Sequence, residues 1–229
     1  MAINFPTSLD VFTDPTASDQ LNLPSHSGQH TDLNNAVEAL EAKVGADSSA
    51  VTTSHDYKIA QLEARNTAGL VLVSRTTIGT AVSSVTVSGA FSSDYDNYRL
   101  IVRGVVPSVN TGLTIQFGAV TTGYTWAAWL ANYAGSGLGS GASSATYSRI
   151  GAIDPGNIGG ISVDIYGPNL ANKTVVASLG FYGATGTTGG IYLVAGLESG
   201  SSQHTAFTLS PTAGTLTGGT IDVYGYVKS

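Results

Sequence analysis

His26 and His30 lie four residues apart, a spacing that puts two imidazoles on one face of a helix. Repeated around an oligomer axis, such a pair stacks into histidine rings able to hold a metal or an anion. Away from an axis, the same residues hydrogen-bond each other or water at a frayed helix start. Asp154, Asp164, Glu198 and Asp222 are the carboxylates a polysaccharide-cleaving site would draw on, since that chemistry needs two of them about 5–10 Å apart. They are scattered through the chain, and three are expected at turns or strand ends. There is no G-x-S-x-G elbow and no cysteine nucleophile, so catalysis is not expected. The aromatic cluster Tyr124, Trp126, Trp129 and Tyr133, with Tyr147 nearby, suits either stacking on sugar rings or burial in a core or subunit interface. Trp126 and Trp129 are three apart, so a strand would point them to opposite faces, one inward and one outward.

Other polar patterns carry less. Asp94-Tyr95-Asp96-Asn97 has the alternating oxygens of a calcium loop but lacks its glycine and its later glutamate, and reads as a turn. Gly135, Gly137, Gly139 and Gly141 alternate with small residues. With no following helix and no lysine to make a phosphate cradle, residues 135–144 read as a mobile loop. Asn172-Lys173-Thr174 is a formal glycosylation sequon, without weight where no secretory signal accompanies it. His55 and His204 have no spaced partners and are expected at the surface. No cofactor motif is present.

The elements that would position these residues begin with a helical stalk. Leu33, Val37, Leu40 and Val44 are spaced four, three, four, which places the leucines at heptad position d and the valines at a. The same register sets His30 at a and His26 at d. Ile59 and Leu62 repeat the a/d pair, with Lys58 at g and Glu63 at e, placed to meet across a parallel, in-register interface. Ser25 is a candidate N-cap, Gly45 a stop, and Thr53 with Asp56 a second start, giving helices over 25–44 and 53–66. From Val44 to Ile59 is one residue more than two heptads, so the register breaks between two helical pieces. Helices this short are marginal in water alone, and self-association is the expected cover for their apolar stripe. β-branched residues at a and leucine at d favour a parallel dimer on sequence grounds.

The chain has 229 residues, 42% hydrophobic and only 10% charged, against a usual charged share of about 25%. Its 29 glycines and its many Ser, Thr, Ala and Val residues describe a β-rich chain that suits packing into a larger assembly. A net charge of −6 with no basic block argues against a nucleic-acid partner. No apolar run approaches a membrane span, so no membrane insertion is expected. The first twenty residues carry Asp10, Asp14 and Asp19 and no signal-peptide pattern, so synthesis in a cytosol without export is expected. Residues 1–24 hold Pro6, Pro15 and Pro24 among apolar Phe5, Leu9, Val11, Phe12, Leu21 and Leu23. They read as an irregular arm that folds back on the stalk or docks on another protein. From residue 69 onward, alternating and β-branched runs predict strands over 70–76, 82–87, 98–105, 113–117, 124–133, 147–150, 161–166, 174–182, 191–195, 205–209 and 220–227. That spacing, with no helix between, points to a mainly β domain, an antiparallel sandwich of jelly-roll kind.

Two stretches resemble the fibre proteins of tailed bacteriophages. Asn4-Phe5-Pro6-Thr7-Ser8-Leu9-Asp10, continuing through Ser25-His26-Ser27-Gly28-Gln29-His30 to Asn34 and then Ala36 to Gly45, resembles the arm and stalk of many phage structural proteins. Asn97-Tyr98-Arg99-Leu100 and the ending from Leu209 through Gly218-Gly219-Thr220-Ile221-Asp222-Val223-Tyr224-Gly225-Tyr226 resemble the β domain of fibre tips. Residues 118–160 carry no such likeness. The resemblance implies a homotrimer and a non-enzymatic virion protein released by lysis. Its domains are an arm (1–24) docking on another virion protein, a trimerising stalk (25–68), and a β tip (69–229) that contacts a host surface glycan. A capsid head fibre or decoration protein, or a polysaccharide-degrading tail spike, are the alternatives it leaves.

Overall fold

The computed structural model describes residues 25–65, 69–156, 159–183 and 189–228. The docking arm expected at 1–24 lies outside them. The chain divides into two compact units between Thr67 and Ala68.

The helical unit holds α1 (His26–Val44) and α2 (His55–Arg65). Ser25 caps α1, its hydroxyl accepting the Gly28 amide at 3.4 Å, which satisfies one of the donors a helix start leaves free. Gly45 ends α1 at φ 90°, its amide reaching the Glu41 carbonyl at 2.8 Å. The positive φ is easy only for glycine. The cap of α2 is Ser54 rather than Thr53: its Oγ accepts the Tyr57 amide at 3.2 Å. Asp56 is used instead to accept the Ser49 amide at 2.8 Å, so the connector between the helices is a hydrogen-bonded turn. No residue of α1 is buried. Leu33, Val37, Leu40, Val44, Ile59 and Leu62 stand between 45% and 63% exposed.

The β unit is antiparallel throughout. Its strands are β1 (Leu70–Thr77), β2 (Val85–Val87), β3 (Asn97–Pro107), β4 (Thr111–Phe117), β5 (Tyr124–Asn132), β6 (Gly137–Ala145) and β7 (Ser148–Ile153). They continue with β8 (Gly159–Tyr166), β9 (Thr174–Tyr182), β10 (Gly190–Glu198), β11 (Phe207–Pro211), β12 (Leu216–Thr217) and β13 (Thr220–Tyr226). The large sheet runs β1-β13-β3-β8-β9-β10-β5-β6, with β12 joined to β3. The small sheet runs β2-β11-β4-β7. Residues of both sheets share one core. Leu113, Ile115, Phe117, Ile150, Phe207 and Leu209 come from the small sheet, and Leu100, Val102, Val163, Ile165, Ile221 and Val223 from the large one. Two sheets packed face to face thus bury one side of each.

Two buried tyrosines brace the loops. Tyr98 Oη accepts the Ser92 amide at 2.7 Å and donates to the Ser92 carbonyl at 2.9 Å. Tyr124 Oη accepts the Phe117 amide at 2.8 Å and donates to the Val120 carbonyl at 3.3 Å. Burial pushes the Tyr124 phenol up to about 12.

Three expectations need correction. Residues 135–144 do not form a loop: β6 pairs with β5 at the sheet edge, because glycines that offer no side chain still offer a full set of ladder hydrogen bonds. The strand expected from Val82 begins only at Val85, with Val82 in a single bridge to Leu216. His204 is not at the surface. It is 3% exposed and its Nε2 lies 3.2 Å from Oε2 of Glu198, itself 2% exposed. Its ring stacks on Phe117 at 5.4 Å, and bonds to Pro168 and Asn169 hold its backbone.

Candidate site on the outer face of the large sheet

The face of the large sheet turned away from the shared core is the candidate site. In β9 and β10 inward residues are buried and alternate residues are not, as the strand period of two requires. The outward residues are themselves apolar. Cross-strand pairing lines them up in rows. Trp129, Leu193 and Leu179 stand side by side across β5, β10 and β9, followed by Ser162 on β8. The neighbouring row is Ala127, Ala195 and Ala177, then Asp164 on β8 and Arg99 on β3. The third row holds Thr125, Leu197 and Val175.

The alanine row beside the Trp129–Leu193–Leu179 row lines an open groove of about 830 Å³ that runs across the strands toward Asp164 and Arg99. Trp129 stands at one end, 52% exposed. Its ring lies over the glycines of β6: a Cβ at Gly139 would touch it at 3.7 Å, and at Gly137 there is no room for one. An indole laid flat on a glycine strand presents its other face to solvent. The opposite end of the groove is polar. Arg99 donates to both oxygens of Asp164, at 2.8 and 2.7 Å, and Tyr226 Oη donates to Oδ1 at 2.8 Å. These bonds, Arg99 first, hold the Asp164 carboxyl below its usual range. Farther along the same face, Arg75 and Arg103 both donate to Asp222, whose carboxyl is likewise held low, chiefly by Arg75.

The expected aromatic cluster separates. Trp129 and Tyr133 are exposed, whereas Tyr124 is in the core and Trp126 is 9% exposed. Trp126 joins Ala128, Tyr192 and Val194 in a second, smaller cluster. Of the four scattered carboxylates, Asp164 and Asp222 share the outer face on the strands flanking β3, and neither is free. Asp164 and Asp222 sit mid-strand in ion pairs rather than at turns, Glu198 holds His204, and Asp154 accepts the Gly156 amide at 2.8 Å. His26 and His30 hydrogen-bond each other, Nε2 to Nε2 at 3.2 Å. Lys58 and Glu63 lie on α2. Among the described residues no group of three or more His, Cys, Asp or Glu side chains is placed to hold a metal. No helix of the described residues is long and apolar enough to cross a membrane.

Sequence reasoning missed Leu179, Leu193, the three alanines and the Arg99–Asp164 pair. A signal was there: Thr174–Tyr182 reads TVVASLGFY, apolar on both faces, where an antiparallel strand with one solvated face would alternate. Comparison with family models, with curated proteins and with solved structures finds no match for this chain.

Proposed function

We propose that this chain is a non-enzymatic fibre protein of a tailed bacteriophage virion. In this reading the helices wind with two further copies into a coiled-coil stalk, through Leu33, Val37, Leu40, Val44, Ile59 and Leu62. Residues 1–24 dock on another virion protein, and the β unit, a jelly-roll-like tip, contacts a host surface glycan. The resemblance of both chain ends to phage fibres motivates it. The observation that carries it is the exposed apolar seam of a 19-residue helix with no buried residue. Helices in proteins draw most of their stability from packing an apolar face, and this seam has that face still to cover.

The tip reading rests on Trp129, an exposed ring supported from behind, beside a groove that ends in an Arg–Asp pair. Weak contacts of this kind repeated three times per fibre give tight attachment by avidity. The breadth of the apolar rows favours a second reading, in which the outer face is itself covered by a neighbouring copy. Exposed apolar patches beyond a few hundred Å² are rare on monomers. Docking on a capsid as a head fibre or decoration protein uses the same parts. A glycan-cleaving spike would need a pair of free carboxylates, whereas Asp164 and Asp222 are each held by arginines.

Native mass measurement of the intact protein tests the assembly. We expect three times the chain mass, and a single-chain mass with a retained β-sheet spectrum for Leu40→Asp. A Leu40→Asp protein of unchanged mass would sink the stalk. Trp129→Ala and Leu193→Asp separate the two readings of the outer face: loss of cell binding at constant mass favours attachment, and loss of mass favours a subunit interface.

A further inference from the structure

Four arginines lie in the β unit, and three hold a carboxylate: Arg75 and Arg103 share Asp222, and Arg99 holds Asp164. Arg149, on β7, forms no ion pair and donates no side-chain hydrogen bond among the described residues. Its guanidinium is nevertheless fixed. It lies over the Trp126 ring, 5.8 Å from the centroid, and over Tyr192, at 5.6 Å. On another side it abuts Gly112, where any Cβ would occupy its place. The aromatic faces stabilise the charge and set its plane, but a ring face does not replace an oxygen acceptor. Arg149 Nε and the neighbouring Trp126 Nε1 are both buried without an acceptor. The charge is oriented but not neutralised.

Arg149 lines a pocket of about 470 Å³ with Asp154, Tyr182, Asn110, Thr111 and Thr212. The two threonine hydroxyls are used on each other and on nearby amides. Asp154 shares the pocket without pairing with Arg149, and one of its oxygens takes the Gly156 amide. A planar guanidinium presents paired N–H donors that match a carboxylate. A carboxylate held apart from it in the same pocket accepts from hydroxyls. Together they suit a ligand carrying one carboxylate and several hydroxyl donors. A compact dianion such as phosphate would meet the Asp154 charge instead.

We propose that this pocket binds a uronic-acid unit of an acidic polysaccharide, its carboxylate on Arg149 and a ring hydroxyl on Asp154. The choice of a sugar rests on the attachment reading above. The pocket is separate from the Trp129 groove, because Trp126 and Trp129 point to opposite faces of β5.

The chain has two tryptophans, so the full-length protein labelled at indole nitrogen gives two signals, one beside each site. Titration with D-glucuronate, D-glucose and inorganic phosphate is the test. We expect glucuronate to shift the Trp126 indole and glucose to bind roughly tenfold or more weaker, because a hydrogen-bonded charge is lost. Arg149→Lys keeps the charge but not the fork, and should weaken glucuronate by a similar factor. Asp154→Asn should weaken glucuronate and strengthen phosphate, and it carries the test if Arg149→Lys does not fold. Three results each overturn the proposal: a silent Trp126 signal, phosphate binding as well as glucuronate, or glucuronate affinity unchanged in both variants. Binding of labelled protein to cells with acidic and neutral capsules separates this from the attachment reading. Equal binding to both, unaffected by Arg149→Lys, places cell attachment elsewhere on the protein, and the glucuronate titration decides the pocket. No cell binding removes attachment, while the glucuronate titration still decides the pocket.

Discussion

The helical unit and the β unit treat their apolar residues in opposite ways. In α1 the leucines and valines of the seam remain about half exposed and nothing is buried. In the β unit Leu100, Leu113, Ile115, Phe117, Val163 and Val223 are completely enclosed. Charge divides along the same line. Residues 1–67 carry nine acidic and three basic side chains, which account for the whole net charge of −6. Residues 68–229 carry six of each, and most of these are paired within the unit. The β unit therefore supplies its own core and balances its own charges, whereas the described helices leave their seam exposed and residues 1–67 carry the net negative charge. Under the proposed association the helical unit should unfold in a concentration-dependent way. A unit with a closed core should not.

The sharpest break of that contrast is a core deletion. Phe117→Ala should destabilise the β unit by about 3–5 kcal/mol, read as a fall in the β-sheet unfolding midpoint. Chain mass at equilibrium should be unchanged if the helices alone hold copies together. Next in size is Tyr98→Phe. It leaves the Ser92 amide and carbonyl without their buried partner and should cost about 1–3 kcal/mol; a midpoint within error of the parent would show that this loop is not braced by the phenol. On the helical side, Ser25→Ala removes the α1 cap and should cost about 0.5–2 kcal/mol of helix stability. Its effect should appear in helical signal and in the dissociation constant of the proposed trimer, with the β midpoint unmoved.

The smallest effect is the pH dependence. Asp164 and Asp222 are held below their ordinary values by Arg99 and Arg75. Their contribution is therefore present above the unfolded carboxylate value of about 3.9, and it is lost as pH falls through the lower folded values. The β unit should lose stability on acidification below about pH 4, and Asp222→Asn should show a shallower loss. Both arginines on Asp222 are half exposed, so solvent screening keeps the change small. An identical acid profile for the parent and Asp222→Asn would show that the pair is only a surface contact.

Much of the β unit was legible in the sequence. Thr174–Tyr182 coincides with its expected bounds, and Tyr124–Asn132 and Thr220–Tyr226 are each one residue shorter. The strands missed were those whose residues carry no apolar signal. Gly137–Ala145 is all small residues apart from Leu138, and Leu216–Thr217 is too short to show a period. The site was harder. The three-residue spacing put Trp126 and Trp129 on opposite faces but did not say which one faced out. Nor did it link Trp129 to Leu193 or Leu179, which lie some fifty or more positions away. His204 was misplaced because a lone histidine has no period, and its partner Glu198 sits at the end of another element.

The sequence by itself determined what depends on neighbours along the chain. It set the four-three-four seam of α1, the stop at Gly45, the strand period, the absence of thiols, and the uneven spread of charge. Tertiary structure alone decided what depends on pairing across strands. Register aligned Ala127, Ala195 and Ala177 into one floor, set Arg99 beside Asp164, and left Arg149 over two aromatic rings with no ion pair among the described residues. The physical reason is that a side chain's partner across a sheet is fixed by hydrogen-bond register and strand order. Residues far apart in the chain become adjacent only when the whole sheet closes.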